Sequence, residues 1–464
     1  MITEEEMVEV EKVAEINGAF TDAEGFNVED VMHLIDQNNI HYIRLWFTDI
    51  LGELKGMTIT KNEIRQVINE GQGFDGSSIK GYVGIQQSDL MAMPDLSTFR
   101  ILPWPVGGEN VALVFCNIEK PDGTPFEGDP RYVLKNLTTK LSEKGLTCYL
   151  GPELEYFYFR DSKSPQFIDK GGYFDYATTD KTAELRKKTA VALNALGIPV
   201  ECAHHEVAPS QQEIDLRYQE ALRMADYAMI YRLTVKEIAR LEGYYATFMP
   251  KPVFGENGSG MHVHQSLFSK EGNKFFSADD EYHLSDMAKS YIAGILKYIP
   301  EFLLLTNQWV NSYKRLVAGY EAPVYISWGR RNRSSLVRVP MYRLGQEKAT
   351  RIELRNPDPA CNPYLAFAAM IAAGLAGIEK GLELAPPIEE NIYGMTEAER
   401  LEYGIEELPT DLNEAIEKFE SSKLMRNVLG DHIFENLIAF KKAEWDSYRI
   451  SVTDYEIKKY FPLL

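Results

Sequence analysis

The period of the apolar positions changes along the chain, and each change predicts an element. Asn27 offers a side-chain cap, and Val31, Leu34 and Ile35 follow at helical spacing. From His41 the period drops to two: Ile43, Leu45 and Phe47 alternate, a turn is predicted over 49–52, and the chain returns as a second strand. Further strands are predicted over 99–102 and 111–118. The stretch PDGTPFEGDP (121–130), dense in Pro, Gly and Asp, reads as a linker. The chain thus divides into a polar N-terminal extension (1–26), a small β-rich domain (27–120), the linker, and a large domain (131–464). In the large domain helices are predicted over 132–144, 182–196, 219–242, 284–298, 363–380, 412–420 and 433–449. Strands are predicted over 148–159, 200–207 and 213–216, and no internal repeat is visible.

Residues of one parity in a strand share a face. In GENGSGMHVHQS (255–266) a glycine-rich turn runs into an alternating segment, with His262, His264 and Ser266 on one face and Met261, Val263 and Gln265 on the other. Such a turn followed by two imidazoles suits metal and phosphate chemistry, the plain alternative being a hairpin with two hydrogen-bonded histidines. Four other stretches repeat the design. In GPELEYFYF (151–159), Glu153 and Glu155 share a face that Phe157 and Phe159 continue, so the acids are not simply solvated and need a compensating cation. In ECAHHEVAPSQQEID (201–215), His204 and Glu206 share a face, and a short turn brings Glu213 back towards Glu206. In TRIELRNPDP (350–359), Arg351, Glu353 and Arg355 share a face, as an ion-pair ladder or as a ligand flanked by guanidiniums. In GRRNRSSLVRVP (329–340), Arg331, Arg333 and Arg338 form a basic cluster of the kind that binds phosphate.

Together these faces gather five carboxylates (Glu153, Glu155, Glu206, Glu213, Glu353), imidazoles and arginines. Hard divalent cations such as Mg2+ or Mn2+ want oxygen ligands, with His acceptable to Mn2+. Arginines beside them would stabilise a transferring phosphoryl group. The sequence holds no Walker, kinase or dinucleotide fingerprint, and the Gly/Ser loop GFDGSSIKG (73–81) lacks phosphate-loop spacing. The residues therefore point to a metal- and phosphate-handling enzyme built on a curved sheet.

Bulk properties narrow the class. A chain of 464 residues exceeds one ordinary core, and 45% apolar with 25% charged residues is typical of a globular protein. A net charge of −20 argues against nucleic-acid or anionic-membrane partners. Cys116, Cys148, Cys202 and Cys361 form no C-x-x-C pair and read as small buried fillers in a reducing compartment. The acidic start MITEEEMVEVEK is neither a secretory signal nor a basic transit peptide, and the apolar run 363–378 is shorter than a membrane span. A cytoplasmic location is expected.

As a set, GPELEYF, HHEVAPSQQEID, MPKPVFGENGSGMHVHQSL, WVNSYKRLVAGYEAP, RRNRS and RIELRNPDPACNPYLA resemble, in order, the motifs of type I glutamine synthetases, in a short form similar to archaeal and Bacillus members. The resemblance runs from about residue 27 to the C-terminus and takes in FTDILG (47–52) and FDGSSIKG (74–81). It implies an α+β fold: a small N-terminal β-grasp domain and a large catalytic domain with a curved antiparallel sheet and surrounding helices. It implies ATP-dependent ligation of ammonium to L-glutamate through γ-glutamyl phosphate. One metal would be held by Glu155, Glu206 and Glu213, a second by Glu153, His262 and Glu353. Arg333, Arg338 and Arg351 match positions that neutralise phosphoryl charge. Asn257, Gly258, Arg315, Arg355 and Glu321 match positions at glutamate. His264 and Ser266 fall on the nucleotide side, with Tyr218 as a wall for adenine. Asp49, Tyr173, Glu206 and Glu321 match the ammonium site, where Glu321, on the YEAP loop, would close the site and take the proton. The resemblance also implies a dodecamer of two hexameric rings, in which Asp49 serves a neighbouring subunit and the apolar tail YFPLL (460–464) packs into another.

Some positions depart from the family pattern. Ser210 stands where the VAPGQ turn usually has glycine, and Ala318 where proline precedes GYEAP, so altered turn stiffness is expected. Gly84 stands where the Gram-positive branch has an arginine used in glutamine feedback, so feedback by that route is not expected; activation by 2-oxoglutarate or a small regulatory protein stays open. Tyr393 occupies the place of an adenylylated tyrosine, but the insertion of that branch is missing and modification is not expected. Two rival readings are a γ-glutamyl-amine ligase, disfavoured by Asp49, Tyr173 and Glu321, and a silent regulatory paralogue, disfavoured by the six intact ligands.

Overall fold

The computed structural model describes residues 13–18, 27–82, 88–176, 180–330, 332, 334–343 and 345–464. The small domain is built on β1 (Ile40–Thr48), β2 (Leu54–Thr60), β3 (Gln72–Asp75), β4 (Asp89–Pro94), β5 (Arg100–Ile101) and β6 (Asn110–Glu119). Their order is β2-β1-β6-β4-β3, with β5 also on β6. Only the β1–β6 pairing is parallel among these described strands. Both faces of this sheet are covered. Ile43, Leu45 and Phe47 pack with Val31, Ile35, Ile64 and Val67 of the helices Val28–Gln37 and Ile64–Glu70. Trp46, Leu113 and Phe115 on the opposite face join the core of the large domain. The predicted cap holds: Asn27 Oδ1 accepts from the amides of Glu29 and Asp30, and the Asp30 carboxylate accepts from the Asn27 amide.

The large domain carries β7 (Thr147–Phe159), β8 (Val200–His205), β9 (Gln211–Leu216), β10 (Gln219–Glu220), β11 (Tyr245–Thr247), β12 (Met261–Ser269), β13 (Gly272–Asn273), β14 (Trp328–Gly329), β15 (Val337–Arg338) and β16 (Ile352–Leu354). The curled sheet runs β14-β15-β16-β12-β7-β9-β8, and short strands β10 and β11 extend the pairing of β7. Helices Ala221–Leu241, Asp286–Thr306 and Pro363–Glu379 pack into one core with the apolar face of the sheet. The helix Pro363–Glu379, apolar on every side, is buried over most of its length, as its Ala/Gly composition predicts. Among the described residues no helix is long and apolar enough to cross a membrane.

The fold differs from the sequence expectation in several places, and the helix predicted over 284–298 continues past Pro300 to Thr306. Residues 13–18, assigned to a polar extension, are docked. Asn17 is buried, donates to the carbonyls of Ile101 (2.9 Å) and Ala195 (2.7 Å), and accepts from the Ile101 amide (2.8 Å). The helix predicted over 433–449 is present, but a further helical segment from Lys423 precedes it, separated by the non-helical backbone of Gly430 (φ 75°, ψ 160°).

A buried guanidinium joins the domains. Arg131 meets Asp226 through Nε (3.0 Å) and Nη2 (2.9 Å), and also reaches Asn117 (2.6 Å) and Asp95 (2.9 Å) of the small domain.

Candidate active site

Cross-strand register assembles the site. Glu153 on β7 faces His262 of β12 on one side and Asp215 of β9 on the other. Glu155 faces Glu213, which in turn faces His204 of β8. His264 faces Glu353 of β16, and Glu353 faces Arg338 of β15. Directly paired residues share a face of a sheet. One face of six strands therefore carries the ionisable side chains, while Leu154, Tyr156, Ile214, Met261, Val263, Ile352 and Leu354 fill the core behind them.

This face floors a cavity of about 270 Å³. Potential ligand atoms of Glu153, His262 and Glu353 lie within 4.8 Å of one another, the second metal set expected from the sequence. Of the other expected set, Glu206 and Glu213 come together with His204. Glu155 lines the same cavity, but its Oε2 already accepts from Gln211 Nε2 and the Gly260 amide, both at 2.9 Å. A third group, Glu153, Glu213 and Asp215, adds a carboxylate that the sequence reading omitted. Its parity with Glu213 was the available signal.

The two ends of the pocket differ in charge balance. Burial pushes the Glu155 carboxyl up to about 7. Burial and then the charge of Glu155 push Glu206 up to about 9, and burial with Asp215 and Glu155 drives Glu213 well above its ordinary value. At the other end burial is outweighed. Arg355, His264 and His262 bring Glu353 down to about 2, and hydrogen bonds from His262 and His264 hold Glu153 well below its ordinary value. Glu353 Oε2 accepts from Arg338 (2.7 Å), and Arg355 donates to Oε1. Crowded carboxylates short of positive charge, with imidazoles at the margin, fit hard divalent cations.

The remaining residues close around this pocket. Asn257, Gly258, Arg315 and Arg355 line it. A Cβ at Gly258 would lie 2.3 Å from the Pro250 carbonyl, so only glycine fits there. Arg315 is buried, and Nη1 donates to the carbonyls of Asn356 (2.6 Å) and Pro357 (3.1 Å). Tyr173 and Phe174 pack on His204, with ring centroids 5.7 and 4.5 Å away. Glu321 lies exposed at the lip with φ 57°, and Tyr393 Oη donates to the adjacent Ala322 carbonyl at 2.6 Å.

A second cavity of about 340 Å³ collects Tyr218, His264, Ser266 and Arg351, with Lys348 and Phe268 beside them. Glu153, Cys202 and Asp215 line both cavities. Cys202 is thus exposed rather than a buried filler, whereas Cys116, Cys148 and Cys361 are buried as expected. Asp49 lines neither of these cavities. Its side chain is wholly buried: Oδ1 accepts from the amides of Leu51 (3.0 Å) and Glu53 (2.9 Å), and Oδ2 lies 3.3 Å from Lys55 Nζ. Arg331, Arg333 and Gly84 lie outside the described residues.

A carboxylate-rich pocket sharing a wall with an arginine- and tyrosine-lined cavity is equipment for phosphoryl chemistry assisted by divalent metal. Residues 39–121 match the family described as glutamine synthetase, beta-Grasp domain, and residues 127–460 match glutamine synthetase, catalytic domain. The chain belongs to the glutamine synthetase family. It is 49% identical over 441 residues to a glutamine synthetase of Mycolicibacterium smegmatis, covering 94% of this chain and 99% of that one. It is 48% identical over 440 residues to one of Thermotoga maritima, covering 94% and 100%. Among solved structures, the cryo-EM Plasmodium falciparum glutamine synthetase superposes with a TM-score of 0.86 at 25% identity, covering 94% and 99%. A GmaS/ADP complex superposes at 0.85 and 29% identity, covering 93% and 99%.

Proposed function

We propose that the two cavities are the glutamate–ammonium and ATP sites of an enzyme that makes L-glutamine, ADP and phosphate by way of γ-glutamyl phosphate, in the service of nitrogen assimilation. The observation that carries this reading is the shared wall: Glu153 and Asp215 line both the ligand-rich pocket and the Tyr218–Arg351 cavity. A carboxylate and a nucleotide on its two sides would meet there.

A carboxylate is a poor electrophile until one of its oxygens carries a phosphoryl group. Glutamate is assigned to Asn257, Gly258, Arg315 and Arg355, which would fix its γ-carboxylate towards the wall. ATP is assigned to Tyr218, His264, Ser266, Arg351, Arg338 and Arg333, the arginines meeting phosphate oxygens as bidentate donors. Mg2+ or Mn2+, when bound, would neutralise phosphate charge and polarise the transferring phosphoryl group. Glu153, His262 and Glu353 would hold one ion, and Glu206 and Glu213 with His204 or Glu155 another.

Ammonium attacks only after losing a proton. Tyr173, Glu206, Asp49 and Glu321 are assigned to bind it, and Glu321 to take the proton while covering the site against water. Asp49 lines neither cavity of its own chain, so the part assigned to it is towards a neighbouring copy, and it requires the 49–52 turn to present the now buried carboxylate outward. A dodecamer of two hexameric rings is the assembly this reading expects. The apolar end of the chain suits it, since Phe461, Leu463 and Leu464 are left exposed. The enzyme is assigned to the cytoplasm.

The test is direct. Purified protein with Mg2+, ATP and glutamate should form glutamine with ammonium, and should use ethanolamine or putrescine poorly. Preference for either amine, or no glutamine with or without 2-oxoglutarate, overturns the reading.

A further inference from the structure

The segment that brings Tyr173 and Phe174 over the acidic pocket is fastened from beneath by a buried hub. Three donors converge on Asp169 Oδ1: the Ser210 amide at 2.8 Å, the Gly171 amide at 3.1 Å and His205 Nε2 at 3.1 Å. The Asp169 and His205 side chains are almost wholly buried. His205 Nδ1 faces the Glu206 carbonyl at 2.6 Å. Both ring nitrogens therefore face acceptors. The Ser210 hydroxyl supplies a second attachment, with Oγ accepting from the amides of Ile168 (2.8 Å) and Asp169 (3.2 Å). The far end is pinned where the Phe174 amide donates to the His205 carbonyl at 3.0 Å.

The packing is as specific as the hydrogen bonding. A Cβ at Gly171 would lie 2.6 Å from His205 Nε2, so the backbone lies flat against the ring and no side chain could be fitted. Ser210 adopts φ 61° and Phe174 φ 58°, left-handed conformations that cost a non-glycine residue free energy. At 210 glycine would adopt that backbone without cost. The serine persists there with its hydroxyl occupied twice, so the strain is offset by the attachment it provides. Ser210 and Glu206 belong to the same β8–β9 turn, so the segment is tied to the element that carries Glu206 and Glu213.

We propose that Ser210, Asp169 and His205 are positioning residues for the ammonium end of the pocket. They hold 168–174 at the height at which Tyr173 and Phe174 roof His204 and Glu206, and the Ser210 hydroxyl is a lock that a glycine turn would lack. This rests on the glutamine-forming reading above.

The experiment compares Ser210→Gly, which removes the hydroxyl and the strain, with Ser210→Ala, which removes the hydroxyl and keeps the strain. Both should raise KM for ammonium about tenfold, the effect of losing one or two neutral hydrogen bonds, with KM for ATP unchanged. Both should speed amide hydrogen exchange over 168–174 and leave β7 and β12 protected. Asp169→Asn should have the larger effect on both readouts. An unchanged ammonium KM in Ser210→Gly overturns the proposal, as does a parallel change in all three substrate KM values with general loss of protection, the mark of a merely structural role. Were the parent protein to make no glutamine, the reading of the reaction would fall, while the exchange comparison would still decide whether the hydroxyl locks the segment.

Discussion

His264 Nε2 lies 2.7 Å from Glu153 Oε1, and the direction of that bond is set from behind. Arg351 Nε donates to His264 Nδ1 at 3.2 Å, so Nδ1 is the accepting nitrogen and Nε2 donates the hydrogen bond to the carboxylate. Arg351, His264 and Glu153 form a line from the second cavity to the metal ligands of the first.

Cutting that line should weaken the nucleotide more than glutamate. In His264→Ala the KM for ATP should rise by roughly 10- to 100-fold, the worth of a hydrogen bond to a charged group. The KM for glutamate should change little. Steady-state kinetics with each substrate varied separately check this, and equal changes in both would remove His264 from the nucleotide side.

Glu321 is exposed at the lip and touches the pocket only from above. Glu321→Ala should bind ATP normally by calorimetry yet lose about 100-fold or more in glutamine formation, the usual range for a lost general base. Normal turnover in this variant would strike it from the mechanism.

The raised carboxyls make stability without metal pH-dependent in a definite sense. Glu206 is lifted from its ordinary 4.5 to about 9 and Glu155 to about 7. Between those limits the folded protein holds protons that the unfolded chain has released, so stability in EDTA should fall as pH rises through 5 to 9. Mg2+ should raise the melting temperature more at pH 8 than at pH 6, because binding must displace fewer protons there. Melting curves with and without metal at the two pH values decide it; a metal effect larger at pH 6 would contradict the assignment.

Arg131 is the buried bridge between domains. Arg131→Ala leaves Asp226 and Asp95 without their shared cation and should cost about 3–5 kcal/mol. Urea denaturation measures it, and a loss below about 1 kcal/mol, the range of a surface pair, would show the bridge to be dispensable.

Much of the site could be read from strand parity. Glu153 with Glu155, His262 with His264, and Glu353 between its arginines all fall on the expected face, because a pleated strand leaves no choice. What parity does not encode is which neighbour captures a side chain. Glu155 shares the face but is taken by Gln211 and the Gly260 amide, contacts made by a turn and a strand end far away in sequence. Asp49 likewise looks available in FTDILG, yet the turn it caps folds its carboxylate inward. The docking of Asn17 had no periodic signal, since it depends on one amide meeting strand and helix ends 84 and 178 residues away. The long helices were read in place, but the one predicted over 284–298 continues past Pro300 to Thr306, and the short helices Ile64–Glu70, Glu397–Glu402 and Asp454–Tyr460 carry too few apolar turns to have been read.

The pleat imposes a last consequence. In β7, β12 and β16 each chemical residue alternates with a core residue: Glu153 and Glu155 with Leu154, His262 and His264 with Val263, Glu353 with Ile352 and Leu354. Deleting one residue within any of these strands would send acids into the interior and aliphatic chains into the pocket at once. Fold and reaction are thus written in the same frame, and a shift of that frame cannot spare either.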